Sequence, residues 1–186
     1  MSGSKMVLVI AVFLMLASGI ASAACEFDMQ GWHITLTSEP PCLDVDVIGF
    51  AVPYQYLGTI PVSIAMGSTE NLALNFYLQS KNADKPLAEY NFEALALAAA
   101  KDSINVQENL QTATVNGRKW GLAAGLDSLN TDAYVGSTLL DDYTLFSVTA
   151  FDKGDLEDAI KGFTAVSVST SFFESESRGG GTTFSL

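Results

Sequence analysis

The run NLQTATVNGRKWGLAAGL, residues 109–126, carries the strongest local signal in the chain. Asn116-Gly117 accepts the positive φ angles of a two-residue type I′ turn, and the segments on either side are able to pair as antiparallel strands. A second hairpin follows in AYVGSTLLDDYTLFSVTAF, residues 133–151. Its period of two sets Phe146, Val148 and Ala150 on one face and Tyr143, Leu145 and Ser147 on the other. Two hairpins in succession put an antiparallel sheet at the centre of the fold.

More strands precede them. In GWHITLTSEPPC, residues 31–42, Trp32, Ile34 and Leu36 alternate as in a half-buried strand, and Pro40-Pro41 end it. LDVDVIGFAV, residues 43–52, resumes the alternation, with Val45 and Val47 opposite Asp44 and Asp46. The apolar runs VSIAM and LALNFYLQS flank GSTEN, residues 67–71, whose Gly, Ser and Asn favour a hairpin turn.

Two segments read as helices. After the polar break KNADKP, Pro86 stands where a helix can begin, because its missing N–H costs nothing in a first turn. LAEYNFEALALAAAK, residues 87–101, follows, with Glu89 and Glu93 early and Lys101 late, as the helix dipole prefers. Leu87, Tyr90, Ala94 and Leu97 share one face and Phe92, Leu95 and Ala99 a second, which predicts burial over more than half the circumference. In FDKGDLEDAIKGF, residues 151–163, Asp152 is the N-cap and Leu156, Ala159, Ile160 and Phe163 form one stripe. TAVSVSTSFF, residues 164–173, gives a last strand or extended edge, and residues 174–186 read as a disordered tail.

The expected fold class is therefore α+β: an antiparallel β-sheet flanked by two main helices, in a single domain over residues 24–173. From Leu72 to Phe163, and above all in TATVNGRKWGLAAG, STLLDDYTLFSVTA and the helix after it, the chain resembles the PsbP-like group of small lumenal and secreted proteins. That resemblance implies a sheet flanked by a long helix and a C-terminal helix, and an accessory or assembly role instead of catalysis. The early Cys25/Cys42 segment and the Gly-rich tail lie outside the group's pattern.

Residues 1–23 read as an export signal: a short basic start, the apolar run MVLVIAVFLMLA, and Ala21 and Ala23 before a cut. The run falls short of the about 20 apolar residues that span a bilayer. Past it, 21 acidic side chains face all the cations except Lys5, a balance that argues against nucleic acid, which needs a cationic face. Cys25 and Cys42 are the two cysteines, and an even count in an exported chain favours a disulfide. The alternative is a lipid-modified Cys25 tethering the protein to a membrane; the small residues before the cut favour the disulfide.

Chemistry is sparse. His33 is the single histidine, with no nucleophile motif around it, so no catalytic residue is assigned. A hydrolase-type enzyme, using His33, Asp44 and Asp46, stands as the last alternative. Asp127, Asn130, Asp132, Asp141 and Asp142 are candidate calcium ligands, although the loop pattern with its turn glycine is missing. A small-ligand or divalent-cation site, there or in a cleft under the first helix, is the second reading. Arg118, Lys119 and Trp120 form the one basic-aromatic cluster, a contact patch for an acidic or aromatic partner, or a core Trp between solvated cations. The leading expectation is an exported, non-enzymatic accessory or surface protein, without cofactor, that binds a protein partner.

Overall fold

The structure, a computed structural model, describes residues 23–38, 46–47 and 51–168. The segment up to residue 22, most of the stretch read as an export signal, lies outside the described residues, as do Pro40-Pro41, Cys42, Asp44 and residues 169–186.

The chain opens with a hairpin, β1 (Ala23–Met29) and β2 (Trp32–Ser38), with Asp28 opposite His33. The alternation at Trp32, Ile34 and Leu36 marks β2; β1 was not expected. Its turn is Gln30-Gly31, whose φ angles of 52° and 80° make the same two-residue geometry as Asn-Gly from a weaker sequence signal. After β3 (Asp46–Val47) come β4 (Val52–Leu57), β5 (Ile60–Ser68) and β6 (Leu72–Leu78). β5 and β6 pair as the GSTEN turn predicts, while β3 and β4 lie end to end along the other side of β5.

The first helix departs from the sequence reading. Leu87–Glu89 after Pro86 is only a 3-10 turn. Helix α1 spans Phe92–Ser103, because Asn91 Oδ1 accepts from the Ala94 amide at 3.0 Å and caps it there. Its buried stripe is Leu95, Ala96, Ala99 and Ala100, narrower than expected; Ala94 is exposed.

Next come β7 (Asn105–Val106), β8 (Gln111–Val115), β9 (Arg118–Leu126), β10 (Asp132–Leu139) and β11 (Thr144–Ala150). Asn116 and Gly117 take φ angles of 51° and 75°, as the turn requires. Helix α2 (Lys153–Lys161) is capped by Asp152, whose Oδ1 accepts from Gly154 at 2.6 Å, and buries Leu156, Ala159 and Ile160. β12 (Thr164–Ser167) then pairs with β2.

The fold is α+β and mostly antiparallel sheet. Among the described residues one sheet has the order β1-β2-β12 and the other β3-β5-β6-β11-β10-β9-β7, with β4 beside β5 and β8 beside β9. All seven residues of β11 are buried, because both of its faces are covered. On one face Phe146 and Val148 join Phe76, Trp120, the small sheet's Phe27, Ile34 and Leu36, and α2's Leu156 and Ile160. On the other, Leu145 and Tyr77 meet Leu95 and Ala99 of α1, and Ala123, Ala133 and Val135 meet Ala100. No helix among the described residues is long and apolar enough to cross a membrane.

Candidate functional site

A strand alternates sides, and β9 begins with Arg118, Lys119 and Trp120 in successive positions. The three therefore divide. Trp120 is 1% exposed and meets Phe163 edge-on at 5.1 Å, so it belongs to the core and not to a contact patch. Arg118 projects to the same side, its guanidinium carbon 5.5 Å from the Phe163 ring centre. Lys119 projects to the opposite side, with its ammonium 4.9 Å from the Phe92 ring of α1.

Arg118 and Lys119 nonetheless both line a cavity of about 410 Å³ at this end of the sheet, with Phe92, Asn116, Thr138 and Leu139. Its walls are fixed by hydrogen bonds. Arg118 Nη1 donates to the Leu139 carbonyl at 2.7 Å, Thr138 Oγ1 donates to the Lys119 carbonyl at 2.8 Å, and Asn116 Nδ2 donates to the Lys161 carbonyl at 2.8 Å. Arg118 is half-buried, and burial holds its guanidinium below the ordinary arginine value. Neither Arg118 nor Lys119 has an ion-pair partner among the described residues, although the chain carries 21 acids. A guanidinium has five N–H donors and the Leu139 bond uses one, and the remaining donors form a fork whose geometry matches a carboxylate.

The other sequence candidates are spread apart. Asp127 Oδ1 accepts from the Leu129 and Thr131 amides, both at 2.8 Å, and Asn130 takes the positive φ of 60° that this turn needs. Asp141 Oδ1 accepts from Tyr143 at 2.8 Å in the next turn. Asp127, Asn130 and Asp132 stand at one end of β10 and Asp141 and Asp142 at the other, about 25 Å apart at strand rise, so the five cannot share one ion. No group of three or more His, Cys, Asp or Glu side chains able to hold a metal occurs among the described residues. His33 Nδ1 lies 2.7 Å from Asp28 Oδ1 across the first hairpin. Asp46 falls in β3 and Asp44 lies outside the described residues. Cys25 is buried and disulfide-bonded; Cys42 lies outside the described residues.

One group was missed in the sequence. Asp102, in the last turn of α1, brings its charge close enough to act on the Tyr77 hydroxyl. Tyr77 donates to the Ala99 carbonyl at 3.4 Å, and burial, with the Asp102 charge beside it, pushes the phenol well above its usual range. Desolvation raises the Asp102 pKa, against an opposing contribution from the Tyr77 hydrogen bond. A carboxyl raised in this way favours folding below its unfolded pKa, and the contribution is lost as pH rises through the folded value. The negative end of the helix dipole disfavours the same charge by about 0.3–1 kcal/mol. Asp102→Asn is accordingly expected to raise Tm at pH 7, with the gain shrinking as the pH falls through the raised pKa. Thermal melts of both proteins across that range check it; an equal gain at every pH would mean the charge is not the cause.

No family model matches the chain, and no curated protein shows significant similarity to it.

Proposed function

We propose that this is an exported, non-enzymatic accessory protein that binds a protein partner, and that the cavity at Arg118 and Lys119 receives an acidic side chain of that partner. The observation that carries this reading is the half-buried Arg118, without a carboxylate among the described residues, in a chain rich in carboxylates. A half-buried cation that its own protein leaves without a carboxylate gains when a partner supplies the opposite charge. We read the scaffold as one domain with α1 and α2 on opposite faces of the larger sheet, in keeping with the PsbP-like resemblance and its accessory role. Export, and a disulfide from Cys25 to Cys42 in preference to a lipid on Cys25, complete the proposal; peptide mapping of the native protein before and after reduction tests both.

Cross-linking mass spectrometry on the exporting cells, with wild-type protein as bait, tests the partner reading. Cross-links are expected to fall on Lys119. Reversing the charge in Arg118→Glu removes one member of a desolvated pair, a loss of about 2–5 kcal/mol, so affinity for the captured partner is expected to drop at least about 30-fold. A partner held equally by Arg118→Glu, or cross-links that avoid this end of the sheet, would overturn the reading.

A further inference from the structure

On the far side of α1 from Lys119, the helix and the edge strand β4 enclose a second cavity of about 320 Å³. Its walls are aliphatic and aromatic: Ala94, Leu97 and Ala98 from the helix and Tyr56 from β4, with Lys101 and Asp102 at one end. Three features set it apart. Tyr56 is 63% exposed on a strand that among the described residues pairs only with β5, and Tyr54, two positions earlier, is 91% exposed at a φ of 61°, a conformation costly for a residue with a side chain. The Asp102 carboxylate has no cation within ion-pair distance among the described residues, Lys101 included. It also sits where the helix end repels it, so it remains there at a cost to the fold.

A carboxylate that the neighbouring Lys101 does not pair, at the end of an apolar trough with a tyrosine beside it, suits a cation on an aliphatic stem. The stem lies along Leu97 and Ala98, the charge meets Asp102 and the negative helix end, and the ring face of Tyr56 adds a cation–π contact. We propose that this groove binds a lysine side chain from a basic segment of a protein partner. The strongly acidic chain draws such a segment in, and the groove fixes where it docks. This site takes the opposite charge from the Arg118 cavity and does not depend on it.

The test is a titration of isotope-labelled protein with the blocked tripeptide acetyl-Gly-Lys-Gly-amide at physiological salt, followed by amide NMR. Norleucine in place of lysine keeps the stem and removes the charge. The expected result is a set of shifts confined to Tyr56, Gly58, Ala94, Leu97, Ala98 and Asp102, with binding at least about 10-fold weaker for the norleucine peptide and for Asp102→Asn, whose fold the thermal melts check independently. Tyr56→Ser, a change at an exposed position, is expected to weaken binding by a smaller factor. Shifts scattered over the acidic surface, or a lysine response that survives Asp102→Asn, would overturn the proposal, as would a lysine response abolished by Arg118→Glu.

Discussion

Trp120→Ala is expected to destabilise the protein by about 3–5 kcal/mol, the range for removing a large aromatic from a packed core. The indole is 1% exposed and stands edge-on to Phe163, which in turn stacks on Phe146 at 5.2 Å, with Phe76 4.9 Å from Phe146. Gly136, on the neighbouring β10 and paired with Leu122, makes the space: a Cβ there would lie 3.4 Å from the indole and 2.8 Å from Ile160. The ring thus ties the larger sheet to α2 and to the segment leading into β12, and its removal leaves a cavity in that core. Urea unfolding should show a lower midpoint with an unchanged slope. Trp120→Phe, which keeps an aromatic in the slot, should lose clearly less. A loss below about 1 kcal/mol for Trp120→Ala would show that the side chain is peripheral and return it to the partner surface.

Where local chemistry decides the structure, the sequence already contains the answer. Asn116-Gly117 has few alternatives to a tight hairpin, and Asp152 ahead of an apolar stripe is a complete helix start. Where two signals compete locally, the reading slipped: Pro86 and Asn91 both suit a helix N-terminus, and the side-chain cap at Asn91 prevails over the proline, leaving only a 3-10 turn between them. The hairpin at Gln30-Gly31 was hidden because glutamine gives no hint of a positive φ. The candidate sites were legible only in part. Arg118 and Lys119 were visible as a cluster, but alternation along β9 sends them and Trp120 to two faces, and only tertiary packing brings Phe92 and Leu139 around them. A cleft under the first helix was named from the sequence, but the residues of the groove at Asp102 were not, since Tyr56 and Leu97 are joined by the packing of α1 on the β4 side of the sheet and share no local pattern.

The second large effect is expected at Gly121→Val. Strand propensity and the lower entropy of the unfolded chain both favour valine over glycine, so a gain would follow if the site had room. It has none. Gly121 faces α1, and a Cβ built on it would overlap the Cβ of Ala96, with Phe92 and Leu110 also in contact. Ala96 is itself the smallest side chain that α1 can bring to the sheet, so relief requires the helix to move away from β9. Overpacking of this kind costs about 1–3 kcal/mol and here is expected at or beyond the top of that range, because the obstacle is a Cβ and not a flexible side-chain end. Displacing α1 would also draw Phe92 from Lys119 and shift Leu97 and Ala98 from Tyr56, so both cavities should lose their shape together. Gly121→Val should therefore lower Tm and weaken binding of an acidic partner group and of the lysine peptide alike, whereas Arg118→Glu weakens only the first and Asp102→Asn only the second. Ala96→Gly in the same chain removes the overlapping atom and is expected to restore part of the loss, a coupling that a double-mutant cycle would measure. Additive effects of the two substitutions would mean that α1 and β9 do not press on each other at this point.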